Sequence, residues 1–579
     1  MGCAVMTQIL IKNGIVYDPL NNVKGEVMDI AIKDGKIVDP KELNPYEKIV
    51  TIDASGKVVM PGGIDIHSHI AGPKVNSGRL LRPEDHYTTN KPDRLPYVMA
   101  ETGLSTPNVY RIGYEYAVMG YTVVAEPATP PVLTRHTHHE FNAIPIIDKL
   151  AYVIVDSNWL LLDLVRQGDI NLLAAYLAWV LRATKTYSLK LIDPGSDFVW
   201  QLNGGHLDVY DQMPIYGITP ADIVEKVANA AQLINIPHKV HIHCNMLGYP
   251  GNYITTLKTM ELSSRIHRLT DGLAMHITHV QFTGYKGNSW ATLESGGEEI
   301  AKELNRNPYV SLDLGQVIPG RSVTTMTGDA SFQLVLYHIL RGKWYSTDIE
   351  SDGAAGIVPY RYRRRNYVNT IQWVIGLEVA LLADDLQRVF IATDHPNAGL
   401  FTDYPLIFAW LMSKKAREDT MRGMNQRALK RSALPAIDRE LTLYDIALMT
   451  RASPAKLLGL QGTKGHLGIG ADADVAIYDV NPLTTDLSKD YTKVITAFRR
   501  AWITIKDGEI VVRNGEVINP ISGTTYYIDS EIPEDLDREL YRVLSEKVKQ
   551  YYSITIDTFV IDEAELLKHR RVKVKSLIK

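Results

Sequence analysis

Cysteine is nearly absent from this sequence, with Cys3 and Cys244 the only two in 579 residues. Two thiols cannot build a disulfide framework, and no cysteine cluster is present to hold iron and sulfur. A reducing, cytoplasmic setting is the expectation. Long apolar runs are missing as well. The best candidate, around Val374 to Ala383, contains Glu378 and falls far short of the roughly 18 residues a membrane span needs, so it is read as a core helix. Charge of one sign is not in excess. Lys and Arg number 62 against 66 for Asp and Glu, and a net charge of −4 offers no whole-protein attraction for nucleic acid. There is no low-complexity segment, no short-period repeat and no GxGxxG following a strand. Met1-Gly2-Cys3 is a weak match to a lipidation start, because Met6 stands where N-myristoylation favours Ser or Thr, and no signal-peptide core follows.

What is present is an ordinary globular composition, 45% hydrophobic and 22% charged. The length exceeds the roughly 250 to 300 residues at which single cores stop growing, so at least two domains are expected. The first fifty residues consist of β phrases, Ile9 to Val16 and Ile30 to Val38, that contain Asn13-Gly14 and Asp34-Gly35, dipeptides that signal hairpins. The same grammar returns at Ile503 to Val512, with Asp507-Gly508, and at Asn514-Gly515. Both chain ends are therefore expected to build one small β-sandwich domain. Between them, helices feed strands. Ser105-Thr106-Pro107 reads as a helix start, with Val109, Ile112 and Tyr116 on one face and Gly120 closing the helix before the strand Tyr121 to Val124. Thr219-Pro220, with Asp222 in the first turn, starts another ahead of the strand Lys239 to His243. Repeated units of this kind argue for an α/β fold, a (β/α)8 TIM barrel. The expected organisation is a β domain from residues 1–61 and 461–520, a barrel over 62–460, and a separate charged, Tyr-rich extension over 521–579.

The most informative stretch is Gly62-Gly63-Ile64-Asp65-Ile66-His67-Ser68-His69. Residues i and i+2 of a strand share a face, so His67 and His69 can reach one metal. Downstream strands end in similar groups: His241 and His243, His276 and His279, and Thr393-Asp394-His395. Lys190 lies in the apolar strand Ser188 to Ile192. In a barrel all eight strand ends converge on one mouth, so these residues can meet. His241 shares a face with His243, whereas a regular strand would turn His276 away from His279. Cys244 is expected to point into packing. Arg135-His136-Thr137-His138-His139-Glu140 reads as a polar loop near the mouth. Arg361-Tyr362-Arg363-Arg364-Arg365 is the strongest internal basic cluster, either a solvated face or a dock for an anionic substrate or a protein partner.

These motifs resemble the amidohydrolase superfamily. More narrowly, His67 to Asn76 (HSHIAGPKVN), Arg82 to Asp85, His241 to Asn245, Thr278 to Phe282, Gly315-Gln316-Val317 and Thr324 to Thr327 resemble the A-subunit family of archaeal formylmethanofuran dehydrogenases. The resemblance covers roughly residues 9 to 520 and departs at Gly195-Ser196, where a double glycine is expected. It implies a metal-dependent barrel with two divalent metals, zinc as the expected ion. His67, His69 and Asp394 would hold one ion and His243 and His279 the other. Lys190, carboxylated by CO2 to N6-carboxylysine, would bridge both. His241, His276 and His395 would support those ligands. Asp394 would act as general base and then acid. The implied activity is condensation of formate with the amine of methanofuran to N-formylmethanofuran in CO2 fixation and methanogenesis, and the reverse hydrolysis. The implied partners are iron-sulfur subunits and a molybdenum or tungsten formate dehydrogenase-type subunit. The alternatives are the hydrolytic subunit of a formyltransferase/hydrolase complex, a cyclic-amide hydrolase of the dihydroorotase or hydantoinase type, and a non-catalytic scaffold. All six ligand positions hold a competent side chain, which speaks against the scaffold.

Overall fold

A computed structural model describes residues 8–86, 93–94, 99–100, 105–269, 272–320, 322–325, 329–346 and 355–578. Cys3, Met6, Met326 and Thr327 lie outside the described residues.

Eight parallel strands form the frame of the site: β1 (Gly63–Asp65), β2 (Tyr121–Thr129), β3 (Asp148–Ile154), β4 (Ser188–Ile192), β5 (Val240–His243), β6 (Met275–Ile277), β7 (Val310–Asp313) and β8 (Val389–Phe390). Each pairs with the next in sequence. The ring closes where the chain beyond β1 bridges the chain beyond β8, at Ser68 and His395, with the His69 amide donating to the His395 carbonyl at 2.8 Å. The strands are buried along their whole length, as expected of a parallel sheet covered by helices.

Local chemistry accounts for most of these elements. Thr219 caps the helix Pro220–Leu233 and Asp222 completes a capping box, as the spacing predicts. The helix before β2 starts later than its Ser-Thr-Pro signal: it spans Val109–Val118 and is capped by Asn108, whose side chain accepts from the Arg111 amide at 2.9 Å. Asn is as good a cap as Ser, and the closer one is used. The apolar run around Val374 lies in the buried helix Tyr367–Leu382, where Glu378 accepts from the Ala433 and Leu434 amides. Among the described residues, no helix is long and apolar enough to cross a membrane.

Strands from both chain ends join in one nine-stranded sheet. Val58–Pro61 pairs with Val475–Tyr478, so the two ends share the core formed by Ile9, Ile32, Val475 and Ile503. Asp34-Gly35 and Asp507-Gly508 turn their hairpins with positive φ at both residues. Asn13-Gly14 does not turn the chain. It sits inside the strand Gln8–Asp18 as a bulge, where the register against Val23–Lys33 shifts.

The last sixty residues are not a separate extension. The strand Thr525–Ser530 pairs with β3 at Lys149, and His569–Val574 pairs with that strand in turn. The helix Glu534–Tyr551 buries Leu540, Leu544 and Val548, one face at four-residue spacing, against the helix Ile170–Thr184. Charge density concealed this stripe from a composition reading.

A buried ion network ties the β domain to the foot of the barrel. The Lys464 ammonium lies 2.8 Å from Asp148 on β3, 2.7 Å from Asp474 and 3.1 Å from Asp472, while Lys506 reaches Asp148 at 3.2 Å and Asp474 at 3.3 Å. Removing one member strands buried carboxylates. Lys464→Met is therefore expected to cost about 3–5 kcal/mol in denaturant unfolding; a loss below about 1 kcal/mol would show that the network is dispensable.

Candidate metal centre

The predicted residues converge at the C-terminal mouth of the barrel. His67 and His69 follow β1, Lys190 is on β4, His243 ends β5, His279 follows β6 and Asp394 follows β8. All are at most 2% exposed. The Asp394 Oδ1 lies 2.9 Å from the His67 Nε2 and 3.2 Å from the His69 Nε2. The rings of His243 and His279 meet edge to face at 4.4 Å between centroids, and the His279 ring is 5.4 Å from that of His67. Donor atoms of His67, His279 and Asp394 lie close enough together to hold one ion.

The backbone aims these side chains by leaving regular strand geometry. His279 has φ +38° and Asp394 φ +47°, both left-handed. That turn redirects His279 into the mouth although β6 has already ended at Ile277. Gly315 makes room for it: its φ is +53°, and a Cβ there would stand 2.3 Å from the His279 Cβ. His276 is not turned away as a regular strand would have it. It points inward beside His241, their rings stacked at 4.6 Å, because the irregularity falls after it. His241 donates to or accepts from His67 Nδ1 at 2.8 Å and His238 Nε2 at 3.0 Å. His395 is also buried, its ring edge-on to Phe401 at 4.8 Å.

Two carboxylates escaped the sequence reading. Glu126 on β2 contacts the His69 Nδ1 at 3.0 Å and accepts from the Ile70 and Ala71 amides. Asp313 ends β7, accepts from the His279 amide at 2.8 Å and contacts the His276 Nε2 at 3.0 Å. Each orients a histidine through the nitrogen or backbone facing away from the mouth, the usual arrangement behind a metal-binding imidazole. Their signal was present in the sequence as single acids in apolar strands, Val-Val-Ala-Glu and Val-Ser-Leu-Asp.

Electrostatics suit cation binding. Burial keeps His243 well below its ordinary pKa and takes His279 to about 3, so both are neutral imidazoles, the form in which histidine can bind a metal. Burial would raise the Asp394 carboxyl, but neighbouring His67 and His279 and its hydrogen bonds outweigh this and hold it below the usual carboxylate range. Burial drives Lys190 down to about 7. The donor set also passes a test of fit. The Lys190 ammonium, both ring nitrogens of His243 and the His279 Nδ1 are buried without a hydrogen-bond partner, and such groups are costly unless something else satisfies them.

Other predicted features resolve around this centre. Arg135–Glu140 is not a loop but part of the helix Thr134–Ala143, in which His138 is buried and bonds the Thr184 carbonyl. Cys244 is packed in the core, where burial raises its thiol to about 12. Ser196, at the departure from the double glycine, accepts from the Leu207 amide at 3.0 Å and the Asn245 side chain at 3.1 Å. Arg361 and Arg363 line a cavity of about 530 Å³ that reaches down to His243 and Asp394 between the aromatic side chains of Phe282, Trp290, Phe332 and Tyr362.

A closed (β/α)8 barrel with histidines and carboxylates gathered at its mouth defines a class of protein: the chain belongs to the amidohydrolase family, whose model matches residues 50–512. Within that class it is 42% identical over 573 residues to protein FwdA of Methanocaldococcus jannaschii, a match covering 98% of this chain and 99% of that protein. It is 34% identical over 570 residues to the A-subunit of the formyltransferase/hydrolase complex Fhc of Methylorubrum extorquens, covering 96% of each. The fold agrees with the crystal structure of the FhcABCD complex from that bacterium with methylofuran, at a TM-score of 0.87, 32% identity, and coverage of 98% of this chain and 99% of the other. The resemblance expected from the motifs is thus borne out, and it extends through the tail.

Proposed function

We propose that this chain is the metal-dependent amidohydrolase subunit of a formylmethanofuran dehydrogenase, joining formate to the primary amine of methanofuran to give N-formylmethanofuran and water, and hydrolysing that linear formyl amide in reverse. The observation that carries this reading is a centre of six convergent side chains beneath an aromatic cavity, in a chain similar from end to end to FwdA and to one chain of a methylofuran-bound complex. His67, His69 and Asp394 would hold one divalent ion and His243 and His279 a second, with Lys190 as a carbamate between them. Such ions, zinc by the nature of the donors, would polarise a carbonyl and lower the pKa of a water from 15.7 toward about 7.

The remaining steps belong to the chain's own residues. In the hydrolytic direction Asp394 takes the proton of the attacking water and passes it to the departing amine nitrogen, which leaves as methanofuran while the carbonyl carbon leaves as formate. Condensation runs these transfers backward. Glu126 and Asp313 hold His69 and His279 in register throughout. The aromatic wall packs on the organic part of the amine, and Arg361 and Arg363 face its outer end. The chain holds no redox centre of its own in this reading, so electrons for making formate come through iron-sulfur subunits and a molybdenum or tungsten subunit of the same complex.

The direct test is formylmethanofuran hydrolysis by the full-length, metal-loaded protein, with formate as the measured product. No formate above the uncatalysed rate would overturn the assignment. Dialysis against a chelator should abolish turnover and readdition of zinc restore it. Glu126→Gln should weaken metal retention about 10- to 100-fold in chelator competition, because the amide no longer draws the His69 Nδ1 proton as strongly; unchanged retention would remove Glu126 from that role.

A further inference from the structure

A second cavity, of about 630 Å³, opens at the foot of the barrel, on the opposite end from the metal centre. Its walls are the segments that lead into β5, β6, β7 and β8 together with residues around the helix Ser453–Leu457. Four cationic side chains line it, Lys239, Arg268, Arg388 and Lys456, against the single carboxylate of Asp385. That carboxylate is already engaged by the Arg388 Nε at 3.0 Å.

Lys239 is the decisive residue. It is 7% exposed, yet among the described residues its ammonium has neither a hydrogen bond nor an ion pair, and burial alone acts on it, lowering its pKa to about 8. At neutral pH it therefore still carries charge. Of the other buried lysines among the described residues, Lys74 has no hydrogen bond at its nitrogen but lies within the field of the Asp197, Asp156 and Glu126 carboxylates. Lys464 and Lys506 are surrounded by carboxylates, and Lys149 is held by the Ile144 and Gly523 carbonyls. The Lys239 nitrogen opens on the cavity, so a largely buried charge faces that space without a counter-charge, and an anion bound there would supply one. A second orphan lines the same cavity: Ser453 is 4% exposed and its hydroxyl is unpartnered. At the rim the Arg268 guanidinium stacks on the Tyr309 ring at 3.4 Å, which fixes its plane and leaves its N–H edge for a planar or tetrahedral oxyanion.

We propose that this foot cavity binds a small free polyanion, a phosphate- or polycarboxylate-bearing molecule, with Lys239 neutralising its buried end and Arg268 its outer end. The volume suits a metabolite-sized ligand. Because the cavity lies across the barrel from the metal centre, the inference stands whether or not the catalytic assignment does.

Isothermal titration of the full-length protein with inorganic phosphate and, separately, with citrate tests it. One saturable site for at least one probe is expected, weakened at least about tenfold by Lys239→Met and by Arg268→Gln, and unaffected by Lys302→Gln, an exposed residue that does not line the cavity. Without anion, Lys239→Met should melt above the unsubstituted protein, since it removes an unpaired buried charge; the bound probe should raise the melting temperature of the unsubstituted protein only. Absence of a saturable site for both probes, or equal affinity in the foot variants and the Lys302→Gln control, would overturn the proposal. Should Lys239→Met fail to fold, the rim variant Arg268→Gln decides the matter alone.

Discussion

Asp394→Asn is expected to leave the barrel intact and lower turnover about 10²- to 10⁴-fold, the range for loss of a positioned general acid–base group. The substitution suits the backbone, because residue 394 sits at φ +47° and Asn is among the few side chains that tolerate the left-handed region. It also suits the hydrogen bonds in part: the amide oxygen can still accept from Asn397, whose side chain donates to Asp394 Oδ1 at 2.9 Å. What disappears is the ability to accept a proton and return it. Steady-state formate release measured beside a melting curve separates the two effects. Turnover near that of the unsubstituted protein would remove Asp394 from proton transfer, whereas a collapsed melting curve would assign it a structural role.

Lys190→Ala should lower bound metal from two ions per chain to one or fewer, with loss of turnover, when protein is prepared with added metal and bicarbonate and read by elemental analysis. Lys190 is on β4, buried and without a partner for its nitrogen, between β3, which carries no proposed ligand, and β5, which ends in His243. An ammonium there repels cations. A neutral amine can instead add CO2, forming an N–C bond and releasing a proton, and the product is a two-oxygen anion. A small carboxylate such as acetate should partly rescue the alanine variant, and full activity without rescue would refute the bridge. The reaction also has a pH signature. Burial brings the lysine to about 7 in the fold against about 10.4 in an unfolded chain. Between those values the unfolded chain binds the extra proton, so the stability of CO2-free protein rises with pH across that window and is lowest below about 7. Metal capture in bicarbonate should rise through the same midpoint, as the neutral amine appears.

The residues that converge at the mouth and the repeating strand and helix units were legible without coordinates. Capping by Thr219, hairpin turning at Asp34-Gly35 and the alternation that puts His67 with His69 and His241 with His243 operate over two to four residues, and such short-range rules leave a direct trace in the order of side chains. Those rules also misled where a neighbour offered an equally good solution, as at Asn108, or where a turn dipeptide was absorbed into a bulge at Asn13-Gly14.

The tertiary structure alone decided four matters. It recruited Glu126 and Asp313 to the histidines, since a lone acid in an apolar strand shows its partner only after the barrel closes. It turned both His276 and His279 inward, because the left-handed step at residue 279 depends on the space left by Gly315 just beyond the next strand. It drew the tail onto β3 through pairings that span hundreds of positions. It left Lys239 buried without a counter-charge at the foot of the barrel, where the cations around it, Arg268, Arg388 and Lys456, come from separate stretches of chain. Sequence order determines what each side chain can do; which groups face one another is set by closure of the barrel, a cooperative event whose contacts are almost all non-local.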